Sequence, residues 1–263
     1  MRLVSGAVLS ASVLAGFLAA APARAEETPA PAVAPTACEV PDYLLTSDSA
    51  LPKTAEAIKD GKSLNILVIG SRSSTITAMS SGASEAIAYP SQMQIALKEK
   101  LPSLAVNLSV EILAKKTAEE VVPSLAKLVE SKKPNLVIWQ TGTVDAMRSV
   151  DPEDFRTAVD EGVVALQEAG AEVILMNPQY SPRTESMISA APYMDNLRVV
   201  AQQRETPLFD RFSIMQGWSE SGEFDLFTSV HNNELAKRVH HCLGNALSQF
   251  ILAAAHPLPV QEN

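Results

Sequence analysis

Three serines follow an apolar stretch that ends in Gly70, and they are the residues of this sequence best suited to nucleophilic chemistry. They are Ser71, Ser73 and Ser74. A serine hydroxyl attacks an acyl carbon when a neighbouring base, most often histidine, takes its proton. The loop has neither the GxGxxG pattern of dinucleotide binding nor the GK[ST] ending of a phosphate loop. The pattern indicates acyl transfer, although Ser73 fits equally well as the N-cap of a following helix.

A second polar loop and one histidine complete the set of candidate groups. Residues 140–145 read Gln-Thr-Gly-Thr-Val-Asp and follow another apolar stretch, and His231 stands directly before the predicted last helix. His231 is interpreted either as a base at the mouth of a site or as a surface residue ahead of a helix cap. His240 and His241 point about 100° apart on a helix, so they cannot bind one metal from one face. No other group has metal-ligand spacing, and no metal site is expected.

The order of these groups along the chain resembles that of the SGNH (GDSL-like) hydrolase family over about residues 64–250. The serines come early, Gly-Thr-x-Asp stands midway, and the histidine precedes the last helix. The resemblance implies that Ser73, followed by Thr75, takes the place of serine in the family's G-D-S-x-T block. It also implies that His231 is the catalytic base.

The sequence departs from the family pattern at several positions. Gly70 stands one position too early, so Ser71 and Ser74 remain alternative nucleophiles. Residues 114–116 (Ala-Lys-Lys) contain no glycine where the family has an oxyanion donor. Val144 replaces the asparagine of the family's G-T-N-D block. Each lost oxyanion donor typically costs about 3–4 kcal/mol in the acyl-transfer barrier.

The last family block, D-x-x-H, also lacks its carboxylate. Thr228 occupies the Asp position, and Asp225 is the nearest substitute, at the wrong spacing. Losing this carboxylate can cost about 10⁴-fold in rate, because it orients the base. Gln140, Thr143 and Lys115 are candidates to supply polar contacts where the family's donors are absent.

Strand and helix patterns alternate along the chain. Five stretches are predicted as strands, at residues 64–69, 106–112, 135–140, 172–176 and 207–209. Four helices are predicted, at residues 89–101, 117–129, 151–170 and 235–247. Such alternation predicts a three-layer α/β/α sandwich with a central parallel sheet of about five strands, as in SGNH or flavodoxin-like folds. Ligands then bind at the carboxyl ends of the strands, in loops beginning at Gly70, Gln140 and Asn177 and before the last helix.

The N-terminal segment is predicted to be a targeting signal. Residues 1–25 combine one early Arg, an uncharged run and an Ala-Arg-Ala cleavage pattern, as secretory signal peptides do. Residues 26–37 are a tether rich in Pro and Ala. A single domain is expected over 38–254, followed by a tail at 255–263. The mature protein is expected to be soluble in the periplasm or secreted.

Charge and cysteine content narrow the choice of partners. Removing the signal leaves 19 basic and 30 acidic residues, a formal charge of −11. Such a surface repels nucleic acids and anionic lipids. In an oxidising compartment Cys38 and Cys242 can form a disulfide, although two unrelated buried thiols fit the sequence equally well.

These features predict an exported SGNH-type serine esterase or acyl hydrolase without a cofactor. Its substrate is expected to be a small-molecule, glycan or lipid ester, such as an acylated carbohydrate or lipid of the cell envelope. No stable membrane insertion is expected after signal cleavage. The alternative is a non-catalytic periplasmic binding or envelope-assembly domain that uses the same cleft. The sequence alone does not identify the acyl group or the alcohol.

Overall fold

Five short segments form a parallel sheet at the centre of the described residues. The computed structural model describes residues 38–75, 86–227 and 233–256. The strands are β1 Leu64–Gly70, β2 Val106–Ile112, β3 Leu136–Gln140, β4 Glu172–Met176 and β5 Leu208–Phe209. They lie in the order β2-β1-β3-β4-β5, and each neighbouring pair is parallel. The predicted fold class is confirmed.

Several predictions concern residues outside the described ranges. The expected signal peptide and tether occupy residues 1–37, and the expected tail continues beyond residue 256. Thr228 and His231 also lie outside the described residues. These predictions therefore stay predictions.

Side chains along the central strands alternate between two separate cores. In β1, Ile66 and Val68 face one core, whereas Leu67 and Ile69 face the other. All four are at most 2% exposed. Burial on both faces explains why these strands appear as continuous apolar runs in the sequence.

Helices cover both faces of the sheet. On one face lie α1 Pro52–Lys59, α2 Tyr89–Lys100, α8 Arg211–Glu220 and α9 Asn233–Ala255. On the other lie α3 Ala118–Lys132, α5 Pro152–Glu168 and α7 Ala191–Gln203. The short helices α4 Thr143–Met147 and α6 Pro182–Glu185 follow β3 and β4. Within the described ranges, no helix has the length and apolar character needed to cross a bilayer.

Local capping signals in the sequence correspond to real helix starts. Thr117 and Glu120 form the predicted capping box of α3, each side chain bonding to the other's backbone N–H. Asp151 caps α5 by accepting the N–H of Glu153 at 2.8 Å. Gly170 follows α5 with a φ of +99°, a conformation that favours glycine. These signals act over a few residues, so the sequence alone contains them.

Helix α1 starts on a cap from a distant part of the chain, which no local sequence pattern indicates. The Glu172 carboxylate accepts the N–H groups of Lys53 and Thr54 at 2.6 and 2.8 Å, and the Thr54 hydroxyl at 2.7 Å. Leu51, at the N-cap position, has no side chain able to do this. The cap exists only because β4 brings Glu172 beneath the helix.

The chain ahead of α1 is bonded to both α9 and α8. Cys38 and Cys242 form a disulfide, and the Cys242 side chain is buried. The indole N–H of Trp218 also donates to the carbonyl of Glu39 at 2.8 Å. The bridge joins residues 204 positions apart, which strongly restricts the unfolded chain.

We expect replacement of both cysteines by serine to lower the free energy of unfolding by about 2–5 kcal/mol, because the unfolded chain regains its freedom. Urea unfolding of the oxidised protein, the reduced protein and the double variant measures the loss. Alkylation of freshly isolated protein is the control: two free thiols would contradict the bridge. Equal stability of all three forms would contradict its energetic role.

Candidate active site

The candidate serines lie where the order of the strands reverses direction. β1 lies between β2 and β3, so the crevice at the carboxyl ends of β1 and β3 is the expected place for a ligand. Gly70 ends β1, and a short 3-10 turn, Arg72–Ser74, follows it. A Cβ atom on Gly70 would overlap the Ser74 hydroxyl. Glycine is needed here so that the turn can fold back over the strand end.

One side-chain amide contacts all three candidate serines. Gln140, the last residue of β3, donates from Nε2 to the Oγ atoms of Ser71 and Ser73, both at 2.8 Å. Its Oε1 accepts the Ser74 hydroxyl at 2.5 Å and the Tyr89 hydroxyl at 3.4 Å. The structure therefore brings Gln140, predicted as a pocket residue, into the centre of the serine cluster.

The three serines differ in access. Ser74 is 1% exposed, and its Oγ also contacts the Tyr89 hydroxyl at 3.1 Å. Ser71 and Ser73 are half-buried, with their Oγ atoms 3.2 Å apart. Ser74 is thus part of the scaffold in this conformation, whereas Ser71 and Ser73 are open to a ligand. Among the described residues, the Ser73 hydroxyl bonds to the side chains of Ser71, Gln140 and Arg211. Residues 76–85, where a helix capped by Ser73 would begin, lie outside the described ranges.

A buried arginine reaches the same serine cluster from β5. Arg211, the first residue of α8, is 0% exposed. Its two terminal nitrogens lie 3.4 and 3.5 Å from Ser73 Oγ, and one lies 3.3 Å from Gln140 Oε1. Among the described residues, its Nε has no partner and no carboxylate lies within 4 Å of the guanidinium. The guanidinium thus adds a positive charge beside Ser73.

The neighbouring carboxylate of Asp210 is occupied elsewhere. Asp210 caps α8 through the Ser213 N–H and hydroxyl, at 3.0 and 2.9 Å. It also accepts from the Asn177 amide at 2.6 Å and lies 3.6 Å from Arg198. The nearest acidic residue in sequence therefore does not neutralise Arg211.

Keeping this arginine charged is costly. Burial lowers the pKa of Arg211 to about 10, so it stays protonated at neutral pH. A depression of that size corresponds to a cost of about 3 kcal/mol for holding the charge in the fold. Its place at the start of α8 adds to the cost, because the positive end of a helix dipole repels a cation. Proteins rarely bury an unpaired charge, so the residue points to a functional role.

His240, which the sequence suggested only as a possible metal ligand, lies in the same region. The half-buried ring of His240 accepts the Tyr89 N–H at Nδ1, at 2.9 Å. Burial, and secondarily the charge of Arg211, lowers the pKa of His240 to about 4. The ring is therefore neutral at pH 7, with its proton on Nε2. In this tautomer His240 is a hydrogen-bond donor rather than a base.

These groups line a cleft of about 210 Å³. Its polar part contains Ser73, Arg211, His240 and, at the rim, Arg183. Its apolar walls are built by Tyr180, Met215, Leu226, Val239 and Leu243. The loop after β4, predicted to begin a site at Asn177, thus contributes to the cleft.

A much smaller cavity lies on the other side of the serine cluster. It measures about 20 Å³ and is lined by Ser71, Thr143 and Val144 among others. The buried Thr143 hydroxyl has no partner among the described residues. Lys115 is exposed and does not line the two cavities, whereas Lys116 lines the smaller one. Lys115 has a φ of +65°, so a lysine takes the left-handed conformation where the resemblance expects glycine.

Asp145 and Asp225, the two acidic residues singled out in the sequence, each bond to a backbone N–H group. Buried Asp145 accepts the Ala118 N–H at 2.8 Å, which fixes the start of α3, and burial raises its pKa. Asp225 is exposed and accepts the Phe227 N–H at 3.1 Å. The pairing of His231 with Asp225 or with a serine lies outside the described residues. Within those residues, no group of three His, Cys, Asp or Glu side chains is placed to hold a metal.

Arg211 and His240 are the site residues that sequence reasoning missed. One signal for Arg211 was available: it stands just after the predicted fifth strand, at the same edge of the sheet as the serines. That loop was not among those expected to form the site. His240 gave no such signal, because it reaches the cleft only through the packing of α9 against α2.

The fold, with the serine cluster at the point where the strand order reverses, defines a divergent SGNH-type protein, as the resemblance predicted. More specifically, the chain belongs to the non-GDSL lipase-like family, which it matches over residues 37–257. No curated protein shows significant sequence similarity to it.

Several solved esterases share the fold at low sequence identity. A two-domain esterase active on acetylated mannans is 14% identical, with a TM-score of 0.60 over 82% of this chain and 57% of its own. A catalytic mutant of Axe2, an acetylxylan esterase from Geobacillus stearothermophilus, is 16% identical, with a TM-score of 0.56 over 71% and 93%. A mutant of esterase AlinE4 is 18% identical, with a TM-score of 0.51 over 64% and 84%.

The low pKa of His240 predicts a specific loss of stability in acid. The unfolded ring protonates near pH 6.5, but the folded ring only near pH 4. The free energy of unfolding should therefore be at its full value above pH 6.5. It should fall by about 2 kcal/mol as the pH drops towards 4, because the ring is half-buried. Urea unfolding at several pH values should show a shallower fall for His240→Asn, whose Oδ1 can still accept the Tyr89 N–H. Exposed His241→Gln is the control, and identical pH profiles for His240→Asn and wild type would refute the assignment.

Proposed function

We propose that the protein is a serine ester hydrolase of SGNH type, with Ser73 as its nucleophile. The observation that carries the proposal is the donor set around Ser73 Oγ. This oxygen accepts from Gln140 Nε2 at 2.8 Å and faces the Arg211 guanidinium at 3.4–3.5 Å. Donors so placed stabilise negative charge on the Ser73 oxygen as its proton leaves, which favours its attack on an ester carbonyl.

The proposed reaction follows two-step acyl transfer. Ser73 Oγ bonds to the ester carbonyl carbon, the C=O electron pair moves to oxygen, and the hydroxyl proton passes to the base. The intermediate then expels the alcohol, which takes that proton. Water repeats the sequence on the acyl-enzyme, releasing the acid and restoring Ser73.

We propose His231 as the base, because it precedes α9 at the position implied by the family resemblance. The Asp that would orient it is replaced by Thr228, so we propose slow turnover on activated esters. His240 is a poor alternative base, since its Nδ1 is occupied by the Tyr89 N–H.

The cleft supports a short acyl group. Drug-sized ligands occupy about 300–1,000 Å³, and this cleft measures about 210 Å³. The structural neighbours that act on acetylated glycans agree with a small acyl ester, although they resemble this chain in fold alone.

A fluorophosphonate probe tests the nucleophile. We expect the purified protein to be labelled at Ser73, identified by mass spectrometry of the labelled peptide. Ser73→Ala should lose the label, while Ser71→Ala keeps it as the matched control. Labelling at Ser71 would overturn the assignment, and absence of labelling would favour the non-catalytic binding domain.

Turnover of p-nitrophenyl butyrate gives the second readout of the same prediction. Ser73→Ala and His231→Ala should each lower kcat/KM by about 10³-fold or more, and the double variant should be no worse than either, because the pair acts as one unit. Additive losses in the double variant would contradict a Ser73–His231 pair.

We also propose that the protein is exported and loses residues 1–25. Mass spectrometry of protein from its own host should then show an N-terminus at Glu26. An intact Met1 would contradict export through this signal.

A further inference from the structure

The charge of Arg211 is not balanced by the part of the chain that the structure describes. The guanidinium is fully buried, its Nε is unpartnered, and Asp210 beside it is committed to α8, Asn177 and Arg198. An uncompensated buried charge is strongly unfavourable, and a bound anion would relieve it.

Arg211 lines the cleft, and its guanidinium makes only long contacts there with the described residues. Its terminal nitrogens lie 3.3–3.5 Å from Ser73 Oγ and Gln140 Oε1, longer than well-formed N–H···O bonds. A planar guanidinium pairs best with an anion that offers two oxygens side by side. Such an anion, seated next to Ser73, would replace these long contacts with short ones.

The rest of the cleft also favours an anion. His240 contributes a neutral ring with an N–H donor, and Arg183 lies at the rim. None of the described residues that line the cleft is Asp or Glu, although the protein carries a net charge of −9. The positive character of this cleft is therefore local.

The walls and the charge balance identify the kind of anion. Arg211 is the buried cation of the cleft and neutralises one negative charge, while Arg183 is exposed to solvent. A phosphate group carries about −1.5 to −2 at pH 7 and would leave excess charge in the buried part. Tyr180, Met215 and Val239 offer apolar surface that suits a short hydrocarbon chain, and Gln179 and Ser181 add uncharged polar groups. A monoanion on a short apolar chain satisfies both parts of the cleft.

From these observations we propose that the cleft beside Ser73 binds a carboxylate carried on a short apolar chain, with Arg211 as its counter-ion. The carboxylate has two sources: the acid released by ester hydrolysis, or a carboxylate that the ester substrate itself carries. Binding does not require turnover, while the choice between the two sources rests on the proposed hydrolysis.

Calorimetric titration and thermal unfolding with sodium hexanoate test the binding. At constant ionic strength, we expect hexanoate to bind wild type and raise its Tm, while 1-hexanol and inorganic phosphate bind at least 10-fold more weakly. Arg211→Met should weaken hexanoate binding at least 10-fold while raising the Tm of the ligand-free protein, since the buried charge is gone. Arg211→Lys should recover part of the affinity, because it restores the charge without the planar fork.

The exposed Arg198→Met is the matched control, and it should bind hexanoate like wild type. Unchanged hexanoate binding in Arg211→Met, equal binding of hexanol, or no binding to wild type would each overturn the proposal. Tighter binding of phosphate than of hexanoate would assign the cleft to a different anion. Because binding is measured directly, these outcomes stand whether or not a fluorophosphonate labels Ser73.

Two esters then distinguish the sources. If the substrate carries the carboxylate, mono-p-nitrophenyl glutarate should exceed p-nitrophenyl butyrate in kcat/KM at least 10-fold, and Arg211→Met should abolish that preference. If the released acid is the ligand, the neutral ester should be preferred and butyrate should inhibit competitively, with a higher inhibition constant in Arg211→Met. Both results support the site. A preference or inhibition that is unchanged in Arg211→Met would contradict it.

Discussion

The amide of Gln140 is the contact on which the arrangement of the candidate site depends. It lies at the end of β3 and bonds to serines that follow β1, so it joins the two strands at the point where the sheet order reverses. An amide suits this place because it offers donors on one side and an acceptor on the other. Its donors orient Ser71 and Ser73, and its acceptor holds Ser74 within the scaffold. Gly70 completes the arrangement, since a larger residue would exclude the Ser74 hydroxyl.

Arg211 places a buried positive charge, which is destabilising, beside Gln140 and the serines. An unpaired charge in the fold is offset by stabilising contacts elsewhere: two apolar cores, a disulfide over 204 positions and the Glu172 cap on α1. Strain and buried charge that are retained despite their cost tend to lie where ligands bind. Burial, with a smaller contribution from the Arg211 charge, lowers the pKa of the nearby His240 and keeps its ring neutral, so the two groups together present donors rather than bases.

The departures from the SGNH pattern also have a structural interpretation. Val144 stands where the resemblance places an asparagine donor, and Lys115 has a left-handed φ of +65° in the stretch where the resemblance places a glycine. The donors closest to Ser73 come instead from Gln140 and from Arg211 on α8. The electropositive group therefore enters from the β5 side of the sheet.

The sequence by itself determined the features that depend on neighbouring residues. Apolar runs gave the five strands, Thr117 with Glu120 gave a helix start, and the order of serine, Gly-Thr-x-Asp and histidine gave the family. These features can be predicted from the sequence because strand burial and helix capping depend on residues within a few positions of one another. Only the tertiary structure decided that Arg211 and His240 share a cleft with Ser73, and that Glu172 caps α1. The hydrogen bonds that make these arrangements join residues 118, 138 and 151 positions apart. They follow from strand order and helix packing, which no local pattern encodes.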